Sequence, residues 1–370
     1  MSQLLYTLAL SCLKGIGQAQ ILTLLRSGSS AEALFAGQLP SDLVPDFAHR
    51  FRTALATSGT SALDRAKTEV DYCAQHDIQI LPFASAGYPM LLAECADAPL
   101  VLFYKGTASL NVAHSLSVVG TRKMTPMGGD LCRHLCGDLA NLRLAPLIVS
   151  GLAYGVDICV HREALANGLP TVGVLAHGLG QTVYPSAHRQ TASEMMAQGG
   201  LLSEYLHDVT PKREFFVRRN RIVAGISAGT VVVESASKGG ALITARLAQD
   251  YNRAVMAYPG RVFDAYSAGC NELIRQQVAT LVTSATDIAE IMGWHAISPS
   301  EPPRQQELFP LLTPEEEAVC AHLATTDQAT ANALALAVNL PAHQLLPLLF
   351  DMELRGLLRH LPGGNYGLVR

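Results

Sequence analysis

The chain from about residue 70 to residue 293 alternates short apolar runs rich in β-branched residues with segments of helical length. The predicted strands are 115–120, 146–150, 171–176, 200–205, 230–234, 254–258 and 280–282. The clearest predicted helices between them are 126–142, 156–166 and 241–252. Because such strands, joined by helical crossovers, are buried on both faces, the alternation predicts an α/β fold. Its sheet is expected to be extended Rossmann-like and mostly parallel, with helices on both sides.

Residues 1–69 predict a separate helical domain, because Leu and Ala recur there at helical spacing. Within it, Lys-Gly-Ile-Gly at 14–17 separates two apolar helical stretches. This break is equally consistent with two structures. One is a helix-hairpin-helix (SAM-like) turn, whose glycines let backbone amides approach a phosphate, and the other is a plain helix-helix connection.

The C-terminal region predicts a linker and a small domain. Residues 294–309 are Pro-rich, polar and aperiodic, as linkers are, and residues 310–370 predict the three helices and hairpin of a winged helix. A capping box from Thr313 to Glu316 begins the first of these helices. The third helix carries too few cations to bind a duplex, so we expect this domain to bind protein or to regulate.

Composition limits the classes of function. The 370 residues are 49% apolar with a net charge of -4, so the chain can bury a large core and any nucleic-acid binding requires a focused basic patch. Its eight cysteines follow no repeated short spacing, which predicts buried thiols in a reducing cytosol and no metal site. The N-terminus lacks the features of a leader peptide and no apolar run reaches membrane-spanning length, so a soluble cytoplasmic protein is expected.

A focused basic patch occurs at residues 212–221, where five cations and two aromatic rings lie within ten positions. The cations are Lys212, Arg213, Arg218, Arg219 and Arg221, and the rings are Phe215 and Phe216. Cations neutralise phosphates and flat rings stack on bases, a combination that suits single-stranded nucleic acid. The alternative is a solvated helix start whose arginines pair with acidic neighbours.

Small residues and cations also recur at the predicted strand ends, where the ligands of parallel sheets bind. The segments are 120–122, 150–157, 177–180, 184–189 and 234–240. Glycine and serine at helix starts leave amides free for phosphate, and Arg122, Arg189 and Lys238 add charge from separate loops. Together they predict a phosphate-binding surface at one edge of the sheet.

No arrangement of nucleophile, general base and orienting acid is evident, so we predict a non-enzymatic protein without a cofactor. Asp157 and Glu234 are the carboxylates at strand ends, and each is as well suited to hold a loop by accepting N–H groups as to act as a base. The dinucleotide-binding fingerprint is absent, because Thr-Arg-Lys follows Gly120.

Longer motifs, in order along the chain, resemble those of the DNA-processing protein A (DprA, or Smf) family over essentially the whole sequence. They are Val-Val-Gly-Thr-Arg at 118–122, Ser-Gly-Leu-Ala-Tyr-Gly-Val-Asp at 150–157, Phe-Val-Arg-Arg-Asn-Arg-Ile-Val-Ala-Gly at 216–225, Lys-Gly-Gly-Ala-Leu-Ile-Thr-Ala at 238–245, and Ala-Tyr-Pro-Gly at 257–260 with Gly-Cys-Asn at 269–271. The resemblance implies a homodimeric protein that binds single-stranded DNA, protects incoming DNA and helps to load the RecA recombinase in natural transformation. The family usually has Arg where this chain has Tyr154.

The resemblance also implies a DNA pocket, formed by Arg122, Arg189, Arg213, Phe216 and the 238–240 loop with Ser150 and Gly151. Combined with the basic patch, the candidate DNA-binding residues are Gly120, Arg122, Ser150, Gly151, Arg189, Lys212, Arg213, Phe216, Arg218, Arg219, Asn220, Arg221, Lys238, Gly239 and Gly240. Two alternatives stay open. One is an enzyme of the nucleotide phosphoribohydrolase type, which residues 234–240 loosely resemble, and the other is an interaction scaffold whose arginines form internal salt bridges.

Overall fold

The computed structural model describes residues 2–41, 43–294, 312–326, 328–361 and 364–368. The chain divides into two compact units, Met1–Ile297 and Ser298–Arg370. Most of the predicted linker, 295–309, lies outside the described residues. Its first residue, Trp294, is buried with its ring centroid 4.9 Å from that of His114, so the packed part of the first unit reaches at least this residue.

Four helices open the first unit: α1 (Ser2–Ser11), α2 (Gln18–Arg26), α3 (Ala31–Phe35) and α4 (Pro45–Gln75). The break at 14–17 lies between α1 and α2, where Gly15 adopts a φ of +86° that favours glycine. The structure departs from the predicted boundary at residue 69, because α4 continues to Gln75. These helices also share an apolar core with Val101 and Phe103 of the following sheet.

The remainder of the first unit consists of nine strands and eight helices among the described residues. The strands are β1 (Gln79–Pro82), β2 (Val101–Gly106), β3 (Ser115–Val119), β4 (Leu147–Ser150), β5 (Thr171–Val174), β6 (Gly200–Ser203), β7 (Gly229–Val232), β8 (Ala254–Ala257) and β9 (Thr280–Leu281). The helices are α5 (Met90–Glu94), α6 (Pro126–Asn141), α7 (Val156–Ala166), α8 (Arg189–Gln198), α9 (Arg213–Ile226), α10 (Gly240–Asp250), α11 (Ala268–Arg275) and α12 (Ala285–Ile291). All seven predicted strands are confirmed.

The strands form one sheet in the order β1-β2-β6-β5-β4-β3-β7-β8-β9. Strands β3 to β9 all run parallel, whereas β2 pairs antiparallel with β6 and β1 antiparallel with β2. The prediction of a mostly parallel Rossmann-like sheet is confirmed. The two strands at the antiparallel end of this sheet, β1 and β2, were not among the predicted strands.

Helices cover both faces of this sheet because its strands are apolar on both faces. In β3, Val118 packs into a core with α6, α7 and α12, while the adjacent Val119 packs into the opposite core with α9, α10 and α11. Helices therefore cover each face, and ligands of such sheets bind at the edge where the strands end.

The second unit has three helices and a three-stranded sheet among its described residues. They are α13 (Pro314–Thr326), β10 (Ala329–Thr330), α14 (Ala331–Ala337), α15 (Ala342–Leu354), β11 (Leu358–Leu361) and β12 (Asn365–Leu368), with the strand order β10-β12-β11. The predicted capping box is confirmed. The Glu316 carboxylate accepts a 2.8 Å hydrogen bond from the Thr313 amide, and the Glu316 amide donates a hydrogen bond to the Thr313 hydroxyl. This unit is the predicted winged helix.

Exposed apolar side chains mark the third helix of the winged helix. Leu346, Phe350 and Leu354 recur every fourth residue on α15 and are exposed. None of the described helices is by itself long and apolar enough to cross a membrane; α14 and α15, which meet at a bend of 110°, reach that length and apolarity only as a pair.

Candidate nucleic-acid interface

A cleft of about 510 Å³ lies at the point where the strand order of the sheet reverses. From β3 the chain moves outward to β4, β5 and β6, then returns to β7 on the other side of β3. The loops that follow β3 and β7 therefore diverge and leave a crevice at the carboxyl ends of the strands. Ten of the candidate residues line it: Gly120, Arg122, Gly151, Arg213, Phe216, Arg219, Asn220, Lys238, Gly239 and Gly240.

One wall of the cleft combines an aromatic ring with cations. The Arg122 guanidinium lies 5.7 Å from the centroid of the Phe216 ring, and Tyr184 packs edge-on against the same ring at 5.6 Å. Arg122, Arg213 and Lys238 are exposed, and among the described residues none of the three has a carboxylate within ion-pair distance. These charges are available to an anion from solution.

The opposite wall is the start of α10. Gly239 is its N-cap without a side-chain cap, so the first amides of the helix are not satisfied by a capping side chain. A Cβ on Gly239 would collide with the Ser235 hydroxyl, whereas one on Gly240 would meet open space. An anion can therefore approach the α10 amides closely at Gly240.

The start of α6, by contrast, already holds an anion. The Glu234 carboxylate accepts a 3.0 Å bond from the Thr125 amide and a second from the Thr125 hydroxyl, and it is 5% exposed. A Cβ on Gly128 would collide with the same carboxylate. Of the two roles considered for Glu234, the structure supports the tether, and a phosphate at this helix start would meet like charge.

The floor of the cleft is a buried pair of opposite charges. Arg219 is 5% exposed and donates to the Val174 carbonyl of β5, while Asp157 is 8% exposed and accepts a 3.4 Å bond from the Ala153 amide. Burial lowers the pKa of Arg219 and raises that of Asp157, and each charge opposes the shift of the other. Gly151 is required above them, because a Cβ there would collide with both groups.

Helical periodicity divides the basic patch between two faces of α9. Arg213, Phe216 and Asn220 recur at spacings of three and four and face the cleft. Phe215 instead stacks on Tyr205 with ring centroids 4.5 Å apart, and Lys212 lies 5.5 Å from the Phe215 centroid. The patch is therefore not one continuous surface.

Two arginines on the far face of α9 are neutralised within the protein. Arg221 donates to the Glu204 carboxylate at 2.5 Å and also to the Asp97 carbonyl, and Arg218 lies 3.4 Å from Glu204 and bonds to the Gln18 amide oxygen. Burial raises the pKa of Glu204, against the opposing effect of Arg221. Arg218 and Arg221, which the basic patch offered as DNA-binding candidates, do not line the cleft and lie against Glu204 instead.

Three other candidates lie outside the cleft. Ser150 is fully buried and donates a 2.6 Å bond to the Val118 carbonyl, so it holds β4 to β3. Arg189 and Lys212 are exposed but do not line the cleft.

Tyr154, half exposed, packs edge-on against His188. The structure adds Tyr184 to the aromatic wall, a residue whose position in the 184–189 loop was its only sequence signal.

Comparison with known proteins identifies the family. Residues 79–293 match the family model described as DNA recombination-mediator protein A, and residues 299–364 match the DprA winged helix domain. A putative DNA processing protein DprA of Mycobacterium tuberculosis is 33% identical over 345 residues, which are 92% of this chain and 88% of that protein. This chain belongs to the DNA processing protein A family.

Other members of the DNA processing protein A family agree in sequence and fold. The Bacillus subtilis protein is 38% identical over 229 residues, covering 62% of this chain and 76% of its own. The solved structure from Streptococcus pneumoniae matches with a TM-score of 0.60 at 31% identity, covering 77% of this chain and 95% of that one. A Helicobacter pylori structure, described by its single-stranded DNA binding mode, matches with a TM-score of 0.52 at 27% identity over 58% of this chain and 95% of its own.

A buried histidine beneath the cleft predicts acid sensitivity. His161 of α7 is fully buried, bonds through Nδ1 to the Thr171 hydroxyl at 2.7 Å, and has no partner for Nε2 among the described residues. Burial lowers the pKa of His161 to about 3 in the folded protein, from the ordinary value of 6.5. As the pH falls below 6.5, the imidazole of the unfolded chain is protonated while that of the folded chain stays neutral. Stability from the neutral imidazole is therefore complete above pH 6.5 and is lost as the pH falls toward 3.

Between pH 6.5 and about 5 we expect His161 to remove about 2 kcal/mol from the free energy of unfolding. Urea titrations of wild type and His161→Gln at both pH values measure this loss. Subtracting the two pH dependences removes the contribution of Asp157, which has the opposite sign because burial raises its pKa. His134→Gln on the exposed face of α6 is the control and should follow wild type. Equal pH dependence of wild type and His161→Gln would contradict the prediction.

Proposed function

We propose that this protein binds single-stranded DNA in the cleft at the strand-order reversal. The observation that supports this most is the pairing of Arg122 with the Phe216 ring opposite the open start of α10. A ring face stacks on any base, while Arg122, Arg213 and Lys238 neutralise the phosphates beside it. Backbone amides at Gly240 hold a further phosphate without recognising a base, so binding is independent of sequence.

We further propose that the protein acts by binding rather than by catalysis. Glu234 is engaged by the start of α6, and Asp157 is buried against the charge of Arg219, so both strand-end carboxylates already have structural roles. Family membership supports the wider proposal that a cytoplasmic homodimer protects incoming single strands and promotes their loading with the RecA recombinase. The apolar face of α15 favours a protein partner for the winged helix over duplex DNA.

Fluorescence anisotropy of labelled oligo-dT and of a matched duplex across a salt series tests the proposal. With three phosphate contacts, the logarithm of affinity should fall against the logarithm of salt concentration with a slope of about -2. The single strand should bind about tenfold or more tightly than the duplex, because paired bases present no face to Phe216. Absence of binding to either ligand would reject the DNA proposal and favour assays for nucleotide hydrolysis.

A further inference from the structure

The loop between β8 and α11 presents an aromatic side chain to solvent. Phe263 is fully exposed, with a relative accessibility of 102%, and the neighbouring Val262 is 80% exposed. Arg261 beside them is also exposed, and no carboxylate lies within ion-pair distance of it in the part of the chain that the structure describes. Leaving a Phe exposed forfeits about 2 kcal/mol of burial and keeps its ring face free for a ligand.

The exposure results from a well-anchored loop. The Asn271 side chain accepts a 3.1 Å hydrogen bond from the Gly260 backbone amide and donates a 3.0 Å hydrogen bond to the Gly260 carbonyl. These two bonds fix one end of the loop. The Asp264 carboxylate accepts a 3.0 Å bond from the Tyr266 amide, which closes the turn at the other end. The loop holds Phe263 outward because these bonds define the backbone on both sides of it.

This loop is connected directly to the cleft. Ser235 donates its amide to the Tyr266 carbonyl at 2.8 Å, and its hydroxyl limits the space at Gly239 on the cleft wall. A cavity of about 680 Å³, lined by Met127, Tyr258 and Arg261 among others, lies under the loop. The Glu234 carbonyl on its border accepts a 2.8 Å bond from Thr121 of the cleft. The loop and the cleft are adjacent parts of the same sheet edge.

We propose that Phe263 and Arg261 form a second contact for the single strand where it leaves the cleft, with Phe263 stacked on a base and Arg261 on the adjoining phosphate. This inference rests on the proposed function. A lone Phe-Val tip is much smaller than the roughly 800 Å² per partner of a stable protein interface, whereas one ring face is all that a base requires. The free charge of Arg261 complements a phosphate.

Length-dependent binding tests the contact. Anisotropy with oligo-dT of about 5 and about 20 nucleotides separates occupancy of the cleft alone from occupancy of the cleft and the loop. We expect Phe263→Ala to weaken binding of the longer strand about tenfold and to leave the shorter strand unchanged. Met90→Ala is the control, because Met90 is 67% exposed and bonded to Asn111 at the opposite edge of the sheet, ahead of β3.

A fluorescent variant gives an independent result. The chain has one tryptophan, the buried Trp294, so Phe263→Trp adds a single exposed reporter that still stacks. Its emission should be quenched by the longer strand and restored by salt, while Trp294 in wild type stays unchanged. If wild type binds strongly, Phe263→Ala keeps full affinity and Phe263→Trp shows no quenching, this inference is overturned and the cleft proposal stands. If wild type does not bind, both are overturned. A Phe263→Ala variant that keeps full affinity and loses self-association in light scattering would assign the tip to a second copy and also overturn it.

Discussion

Arg122→Glu should bind oligo-dT about 25-fold more weakly than wild type at about 0.1 M salt. The substitution removes one phosphate contact and places an anion in the cleft, so the effective number of neutralised phosphates falls by about two. Each contact contributes about 0.7 units to the logarithm of the binding constant at this salt concentration, so losing two lowers it by about 1.4 units. Loss of the Arg122 contact with the Phe216 ring adds to this effect. The salt dependence of the remaining binding should be correspondingly shallow.

Arg143→Glu is the matched control for this measurement. Arg143 is exposed between α6 and β4, at the edge of the sheet opposite the cleft, so the same change in net charge occurs away from the site. Circular dichroism and thermal unfolding of both variants should match wild type, because the Arg122 guanidinium has no internal ion pair among the described residues. Unfolding of Arg122→Glu with no change in affinity would support the interaction scaffold instead.

Arg221→Gln should lower the free energy of unfolding by about 3 to 5 kcal/mol while the folded protein keeps its affinity for oligo-dT. The Glu204 side chain is 3% exposed, and Arg221 is its nearer cation, so the variant leaves a buried carboxylate poorly compensated. Removing that cation raises the pKa of Glu204 further, and protonation then relieves the cost. The destabilisation should accordingly be largest at neutral pH and smaller in acid.

Urea unfolding at neutral and acidic pH measures this effect, with Arg218→Gln as the control. Arg218 lies 3.4 Å from the same carboxylate but its side chain is 47% exposed, so its loss should cost about 1 kcal/mol or less. If Arg221→Gln instead loses DNA affinity at unchanged stability, the far face of α9 takes part in binding and its assignment as an internal pair is incorrect.

Much of the fold could be predicted because it depends on local patterns. Apolar runs of strand length between helical segments admit few arrangements other than a sheet buried on both faces, and the capping box at Thr313 needs only residues three positions apart. The strands β1 and β2 were missed, since their place in the sheet depends on the long-range antiparallel pairing of β2 with β6, onto which β1 then pairs.

The cleft was predictable to the extent that parallel strands all end at one edge. This convergence brings Gly120, Arg122, Gly151 and the 238–240 loop together, as their positions after strands indicated. The start of α6 also carries glycines, at 128 and 129, but Thr125 caps it and Glu234, which follows β7, occupies it. Only the lateral order of the strands, which is a long-range property, decides which helix start remains open.

The sequence by itself determined that this chain builds a parallel sheet with a cationic, glycine-rich edge, because side-chain periodicity and helix-start chemistry are local. Only the tertiary structure decided which cations of the 212–221 patch are free. Arg213 and Arg221 have the same charge but point in different directions, because each helical residue is rotated by about 100° from the one before it. Arg213 faces solvent in the cleft, whereas Arg221 faces Glu204 and forms a buried ion pair with it. A charge is available for binding only where folding has brought no counter-charge to it.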